Sequence, residues 1–228
     1  MLSLIKNKFW KWPNGFIWKI TEKATLRSRR KRYDFFISKM KPGPEDEILD
    51  VGVAPYFLRG TNFLEQWYSH PHRITALTND NPERFNDFNK KFPEVKLLFS
   101  DGKKLEFSDN CFDVVFSNAV IEHVGGREDQ RRFIQEIIRV GKRAFITTPN
   151  YRFPLEAHTL IPFAHWFPLK IRFWIYKKLG RGYWADVNHL NLLTERSFLS
   201  LFPVGIKVKV YKQRILGIAS NLIAVAEK

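Results

Sequence analysis

Glu122 and His123 pair two titratable groups a few positions after Phe112–Phe116. That run is short, apolar and rich in β-branched and aromatic residues, so it reads as a buried strand. Polar Ser117 and Asn118 follow it directly. In open α/β sheets, ligands bind in the crevice beyond the carboxyl ends of the strands. An imidazole placed there, with a reference pKa of about 6.5, suits a general base. The bland alternative is a histidine that only packs beside a ligand. Residues after other strand-like runs also bear on a site: Asp50, Gly52 and Val53, then Asp80, then Asp101 and Gly102. Gly52 would let backbone approach a ligand without a Cβ in the way. Asp80 has a second reading as a helix N-terminal acid ahead of Pro82, and Asp101-Gly102 has one as a turn. Glu156, His158 and His165 are the polar groups of a later aromatic segment. No second ligand set is visible beside Glu122 and His123, so no metal is expected.

The elements that must position these residues alternate in type. Strands are expected at Glu47–Val51, Arg73–Leu77, Val95–Phe99, Phe112–Phe116 and Arg143–Thr147. Helices are expected at Thr61–Tyr68, Pro82–Lys91, Glu128–Val140 and Thr194–Leu201, and a closing antiparallel pair at Ile206–Val210 and Leu222–Ala226. Such alternation predicts a parallel sheet with crossover helices. Asn150 to Asn191 is too long for an ordinary connection and is dense in aromatic residues. It reads as a lid or substrate element, against the alternative of a plain packed insertion.

The chain has 228 residues, enough for one domain with elaborations. Its net charge is +15, and ten of those charges fall in the first 41 residues, where twelve basic residues meet only Glu22 and Asp34. Residues 1–41 are therefore read as a basic arm, with Phe16 to Met40 forming one or two helices. Lys41-Pro-Gly-Pro44 reads as its border with a body at 45–228. The single Cys111 cannot form an intrachain disulfide. No apolar run approaches a membrane span, and the first ten residues have too short an apolar core for a secretory signal. A cytoplasmic protein is expected, with a peripheral place at the inner face of a membrane as the further option.

The order of elements and four local motifs together resemble the class I S-adenosylmethionine-dependent methyltransferases, in their small-molecule, type 11 branch. The motifs are Glu47-Ile-Leu-Asp-Val-Gly-Val53, the acid after the second strand, Asp101 with the following Phe112-Asp113, and Asn118-Ala-Val-Ile-Glu-His-Val124. Thr-Pro-Asn at 148–150 is similar to the end of the family's fifth strand. The glycine loop departs from the pattern, with Ala54, Pro55 and Tyr56 in place of its later glycines. The resemblance implies an α/β, Rossmann-like seven-stranded methyltransferase sheet with helices on both faces, a basic N-terminal helical arm and an aromatic-rich lid insertion at 150–191. It implies S-adenosyl-L-methionine as cofactor, held by Asp50, Gly52, Val53, Asp80, Asp101, Gly102 and Asn118. It assigns the chemistry to His123, Glu122 and His158.

The expected activity is methyl transfer to a small-molecule, lipid or lipid-linked sugar acceptor, at a hydroxyl, near a membrane surface. The mixture of Trp, Phe, Lys and Arg in residues 1–41 suits an anionic membrane surface. Arg27-Ser-Arg-Arg-Lys-Arg32 also suits phosphates, which leaves an RNA-directed methyltransferase as an alternative. Against nucleic acid, Ser117-Asn-Ala-Val120 stands where amino-group methylators carry Asp/Asn-Pro-Pro-aromatic, and Cys111 follows Asn110 rather than a proline. A non-catalytic binding module with this fold is the third reading, motivated by the altered glycine loop. The oligomeric state is left open.

Overall fold

A computed structural model describes residues 15–57 and 60–228. The first element is a single helix, α1, Gly15–Met40. Then come β1 (Ile48–Val51), α2 (Phe63–Trp67), β2 (Ile74–Thr78), α3 (Asn86–Lys91), β3 (Lys96–Phe99) and β4 (Phe112–Asn118). They are followed by α4 (Arg127–Val140), β5 (Gly141–Pro149), α5 (Leu169–Lys178), α6 (Glu195–Leu199), β6 (Lys207–Ile215) and β7 (Ile218–Glu227).

The strands form a seven-stranded sheet in the order β3-β2-β1-β4-β5-β7-β6. The first five are parallel, and β7 runs antiparallel to both β5 and β6. The central strands β1, β2, β4 and β5 are buried on both faces while the edge strands β3 and β6 are largely exposed, and the period-2 alternation along the central strands sends side chains to two cores. Leu49, Val51, Val115 and Ile146 face the core made by α4 and α6, with Phe133, Ile134, Ile137 and Phe198. Ile48, Val114, Phe116 and Phe145 face the opposite core, made by α1, α2 and α3, with Phe36, Met40, Phe63 and Phe88. Helix α4 places its apolar residues at Phe133, Ile134, Ile137 and Ile138, the spacing of one helical face.

Three expectations are corrected. The border between arm and body does not fall at 41–44 for packing purposes, because Tyr33, Phe36 and Met40 of α1 lie inside the core. Arg143 ties the same helix to the sheet by donating to the Met40 carbonyl and, at 2.7 Å, to Asp46. The part of the arm at 1–14 lies outside the described residues. Strand β4 continues two residues past Phe116, since Ser117 and Asn118 pair with Ile146 and Thr147 of β5. Strands β6 and β7 are longer than their apolar stretches, because Leu216 and Gly217 both take positive φ and close a tight hairpin. The 150–191 insertion carries α5, short 3₁₀ turns at Ala164–Trp166 and Gly182–Trp184, and irregular chain between them.

Candidate functional site

The carboxyl ends of β1, β2 and β4 open onto a cavity of about 440 Å³, lined among others by Gly52, Leu77, Thr78, Asp101, Gly102, Val120 and His123. Two glycines shape it. Gly52 has φ 105°, and a Cβ there would stand 2.2 Å from a methyl of Val120. A Cβ on Gly102 would come within 2.8 Å of the Phe133 ring. Both positions keep backbone close to the space a ligand would fill. Asp101 lines the cavity while its Oδ1 accepts from the Lys103 amide at 2.9 Å, so the turn and the site readings hold together. The insertion closes the far wall with Asn188 and His189.

The altered glycine loop is held by a residue the sequence did not flag. Asn62, itself in the left-handed region, accepts from the Ala54 amide at 2.9 Å and donates to the Ala54 carbonyl at 2.8 Å. One amide side chain thus fixes both polar groups of the residue that replaces glycine. Val53 is buried in the α1-side core and does not line the cavity. Asp50 is buried beside Glu65 of α2, and the Glu65 carboxylate receives no N–H donor among the described residues. Burial, then the neighbouring Glu65, push Asp50 well above the usual carboxylate range; burial also raises Glu65. Both shifts favour the protonated forms of the pair.

Besides Asp50 and Val53, two more expected cofactor residues lie outside the cavity lining. Asp80 pairs with Arg84 and caps the Asn81 amide at 2.8 Å, and Thr78 and Asn79 line the cavity in its stead. The helix-terminal reading of Asp80 is the one realised, because the chain turns after Thr78 into the 3₁₀ turn Pro82–Phe85. Asn118 accepts from Arg32 at 2.5 Å and from Thr147 at 2.9 Å, and it is not in the cavity lining. Arg32, on α1, also donates twice to Gln213 of β6, at 3.1 and 2.8 Å. Burial lowers its pKa to about 10, with Arg29 pushing the same way and Glu122 opposing. It stays charged at neutral pH.

The three residues expected to do chemistry converge. His123 Nε2 lies 3.0 Å from His158 Nε2, which arrives from the insertion, and 3.9 Å from Glu122 Oε1. Each histidine is pinned at its other nitrogen. His123 Nδ1 faces the His189 carbonyl at 2.7 Å, and His158 Nδ1 faces Glu156 Oε1 at 2.6 Å. Glu156 is buried and also accepts from the His158 and Thr159 amides, at 2.8 and 2.6 Å. Burial alone would raise its pKa, but the bonds from His158 and these amides bring it down to about 2. Burial lowers His123, and the neighbouring His158 adds to this against the pull of Glu122. Burial would lower His158 too, but its bond to Glu156 reverses the sign and raises it. Trp184 packs against both imidazoles, with ring centroids 5.7 and 4.8 Å away. His165 is buried apart from this group, bonded to the Tyr151 carbonyl at 2.9 Å. A second cavity, of about 540 Å³, lies against β7 and α6 and shares no residue with this site.

An open sheet with this strand order, an antiparallel seventh strand and a cavity beyond β1 and β2 defines the class I methyltransferase architecture. Residues 58–144 match the family model for a methyltransferase domain. Among solved structures, the PH0226 protein of Pyrococcus horikoshii OT3 superposes with a TM-score of 0.59 at 15% identity, over 88% of this chain and 90% of that one. A SAM-dependent methyltransferase of Methanosarcina mazei gives 0.51 at 19% identity, over 82% and 94%. Geranyl diphosphate C-methyltransferase of Streptomyces coelicolor A3(2) gives 0.56 at 13% identity, over 90% and 82%. No curated protein matches the chain. The match over residues 58–144 and the shared fold together support a class I S-adenosylmethionine-dependent methyltransferase. The cavity fits that cofactor through the bare backbone at Gly52 and Gly102 and the carboxylate of Asp101 at its wall. When bound, the cofactor supplies an activated methyl group.

Proposed function

We propose that the protein methylates a hydroxyl of a lipid, a lipid-linked sugar or a related small molecule at an anionic membrane surface. The observation that carries this reading is the outer face of the 150–191 insertion. Phe163, Trp166, Phe167, Ile171 and Trp174 are exposed there, Trp174 to 60%. Exposed Lys170, Lys177 and Lys178 lie among them in sequence, and the only acid between residues 150 and 185 is the buried Glu156. Large aromatics beside basic side chains suit the headgroup boundary, with each basic residue adding about 1 kcal/mol near an anionic leaflet. The basic residues of α1 would add to the same attraction, and Arg27, Arg30 and Lys31 are exposed. No helix among the described residues is long and apolar enough to cross a membrane.

The inner face of the same insertion contributes His158 to the chemical cluster, so an acceptor gathered from the membrane would meet the cofactor cavity there. Methyl transfer requires the acceptor atom to be aligned with the methyl carbon, and such positioning is worth about 7–11 kcal/mol. A hydroxyl must also be activated, typically for a further 10²–10⁴-fold. His123 lines the cavity, burial lowers its pKa, and Glu122 Oε1 and His158 Nε2 stand beside its Nε2, so the activation falls to this cluster.

The test has two arms. Sedimentation with vesicles of phosphatidylcholine, with and without phosphatidylglycerol, should show binding that needs the anionic lipid and is lost in Phe163→Glu/Trp174→Glu. Labelled S-adenosylmethionine should deliver label to the organic extract of membranes, and His123→Ala should abolish it. Absence of vesicle binding, with a salt-sensitive mobility shift of RNA instead, would replace this reading with an RNA-directed one.

A further inference from the structure

The geometry points to a divalent transition-metal site at Glu122, His123 and His158, of the kind that takes Zn²⁺ or Co²⁺. The His189 carbonyl can only accept, so His123 Nδ1 carries the hydrogen. Glu156 accepts from two backbone amides through the same carboxylate, so it is ionised, and His158 Nδ1 carries the hydrogen there. Both Nε2 atoms then present lone pairs to each other across 3.0 Å. Two lone pairs do not face each other at that distance without a positive species between or beside them. The third donor is Glu122 Oε1. Its residue is fully buried, its other oxygen accepts from Thr148 at 3.0 Å, and Oε1 has no hydrogen-bond partner among the described residues. An orphaned, buried carboxylate oxygen 3.9 Å from one of those nitrogens requires the same positive species.

A proton satisfies one pair of atoms; a cation satisfies all three. The three donor atoms lie within 4.8 Å of one another. Zinc bonds of about 2.0–2.1 Å place tetrahedral ligand atoms about 3.3 Å apart, so small rotamer shifts would bring the set into range. Two imidazoles and a carboxylate match the preference of borderline divalent metals rather than of Mg²⁺ or Ca²⁺. The outer partners are also those of metal sites, since each ligating histidine donates its second N–H to a carbonyl or a carboxylate. Spacing alone does not show these three residues as a ligand set, because the third comes from the insertion, 35 positions after His123. Three protein ligands leave a coordination position open, as in catalytic zinc sites. Because His123 lines the cofactor cavity, that position would receive the acceptor oxygen and acidify it by coordination. This last step alone rests on the hydroxyl-acceptor reading.

The experiment is Co²⁺ titration of the chelator-stripped full chain, followed by visible absorption and by metal content after dialysis against Zn²⁺. The expected result is one equivalent bound, with d–d bands of low-coordinate cobalt that Zn²⁺ abolishes. His158→Ala and Glu122→Gln should each lose stoichiometric binding. Glu156→Gln, which touches only the outer partner, should weaken it by about 10–100-fold. His70→Ala/His72→Ala, a histidine pair elsewhere on the molecule, should leave it unchanged. Circular dichroism and S-adenosylmethionine binding would show that the variants fold. Absence of stoichiometric binding by the native chain, or binding indifferent to His158→Ala, would mean that only a proton sits between the imidazoles. Methyl transfer that survives complete chelation would overturn the coordination step, whereas metal binding without any hydroxyl methylation would overturn the hydroxyl reading and leave the site.

Discussion

Gly52→Ala tests how tightly the cofactor wall is built. The added Cβ would stand 2.2, 3.0 and 3.2 Å from three carbons of Val120, where carbon contacts prefer about 3.5–4.0 Å. Val120 must therefore retreat by about 1.3 Å or the β1 end must move. Holding φ at 105° with a side chain adds a second cost, about 1–2 kcal/mol by the left-handed penalty. Overpacking of this kind costs about 1–3 kcal/mol, and the stiffer unfolded chain returns about 0.4–1 kcal/mol. The net loss is about 1–4 kcal/mol. At this chain length it corresponds to a fall in Tm of roughly 3–15 °C. Since Gly52 and Val120 both line the cavity, affinity for S-adenosylmethionine should fall at least tenfold. Thermal melting and calorimetric titration read the two effects. Val120→Ala in the same chain should recover the overpacking share and leave the φ penalty. A single mutant that melts and binds as the native protein, or a double mutant with no recovery, would refute the packing argument.

The buried Asp50–Glu65 pair gives stability a pH dependence of known sign. Both folded pKa values are raised above 3.8 and 4.5, so the native state holds protons that the unfolded chain releases. The pair's contribution is full below about pH 4 and is lost as pH rises through the folded values. Glu65→Gln should flatten that slope and stabilise the protein by about 1–3 kcal/mol at pH 8, measured by urea unfolding across pH; an unchanged slope would contradict the upward shift of the pair. Arg32→Ala should cost about 1–3 kcal/mol by leaving Gln213 Oε1 without its donor and Asn118 with Thr147 alone. Arg32→Lys should not restore it, because one ammonium cannot reproduce the fork that reaches both amides. Equal stability of the three forms in urea would show that α1 is not anchored there.

The parallel order was legible because β1, β2, β4 and β5 are short runs of apolar residues bounded by polar ones, and α4 carries a clean helical period. Glu122, His123 and Asp101 were legible because they follow strands directly. Their partners were not. Arg32 reaches the site from 86 positions before Asn118, and in sequence it belongs to a charge run that reads as solvated. Glu65 sits on a five-residue helix, where its burial depends wholly on the fold around Asp50. Asp80 was misplaced because a carboxylate before a proline suits a helix terminus as well as a ribose, and Arg84 one turn later decides for the terminus. The basic arm was read by charge, yet the apolar residues Tyr33, Phe36 and Met40 between those charges put its second half in the core.

The most direct test of the account is calorimetric titration of the full chain with S-adenosylmethionine and S-adenosylhomocysteine, beside Asp101→Ala. Binding of both at micromolar concentration, one per chain and weakened in the variant, is the result expected of a working cavity built on Gly52, Gly102 and Asp101. Absence of binding up to millimolar concentration, from a sample shown to be folded, would contradict it.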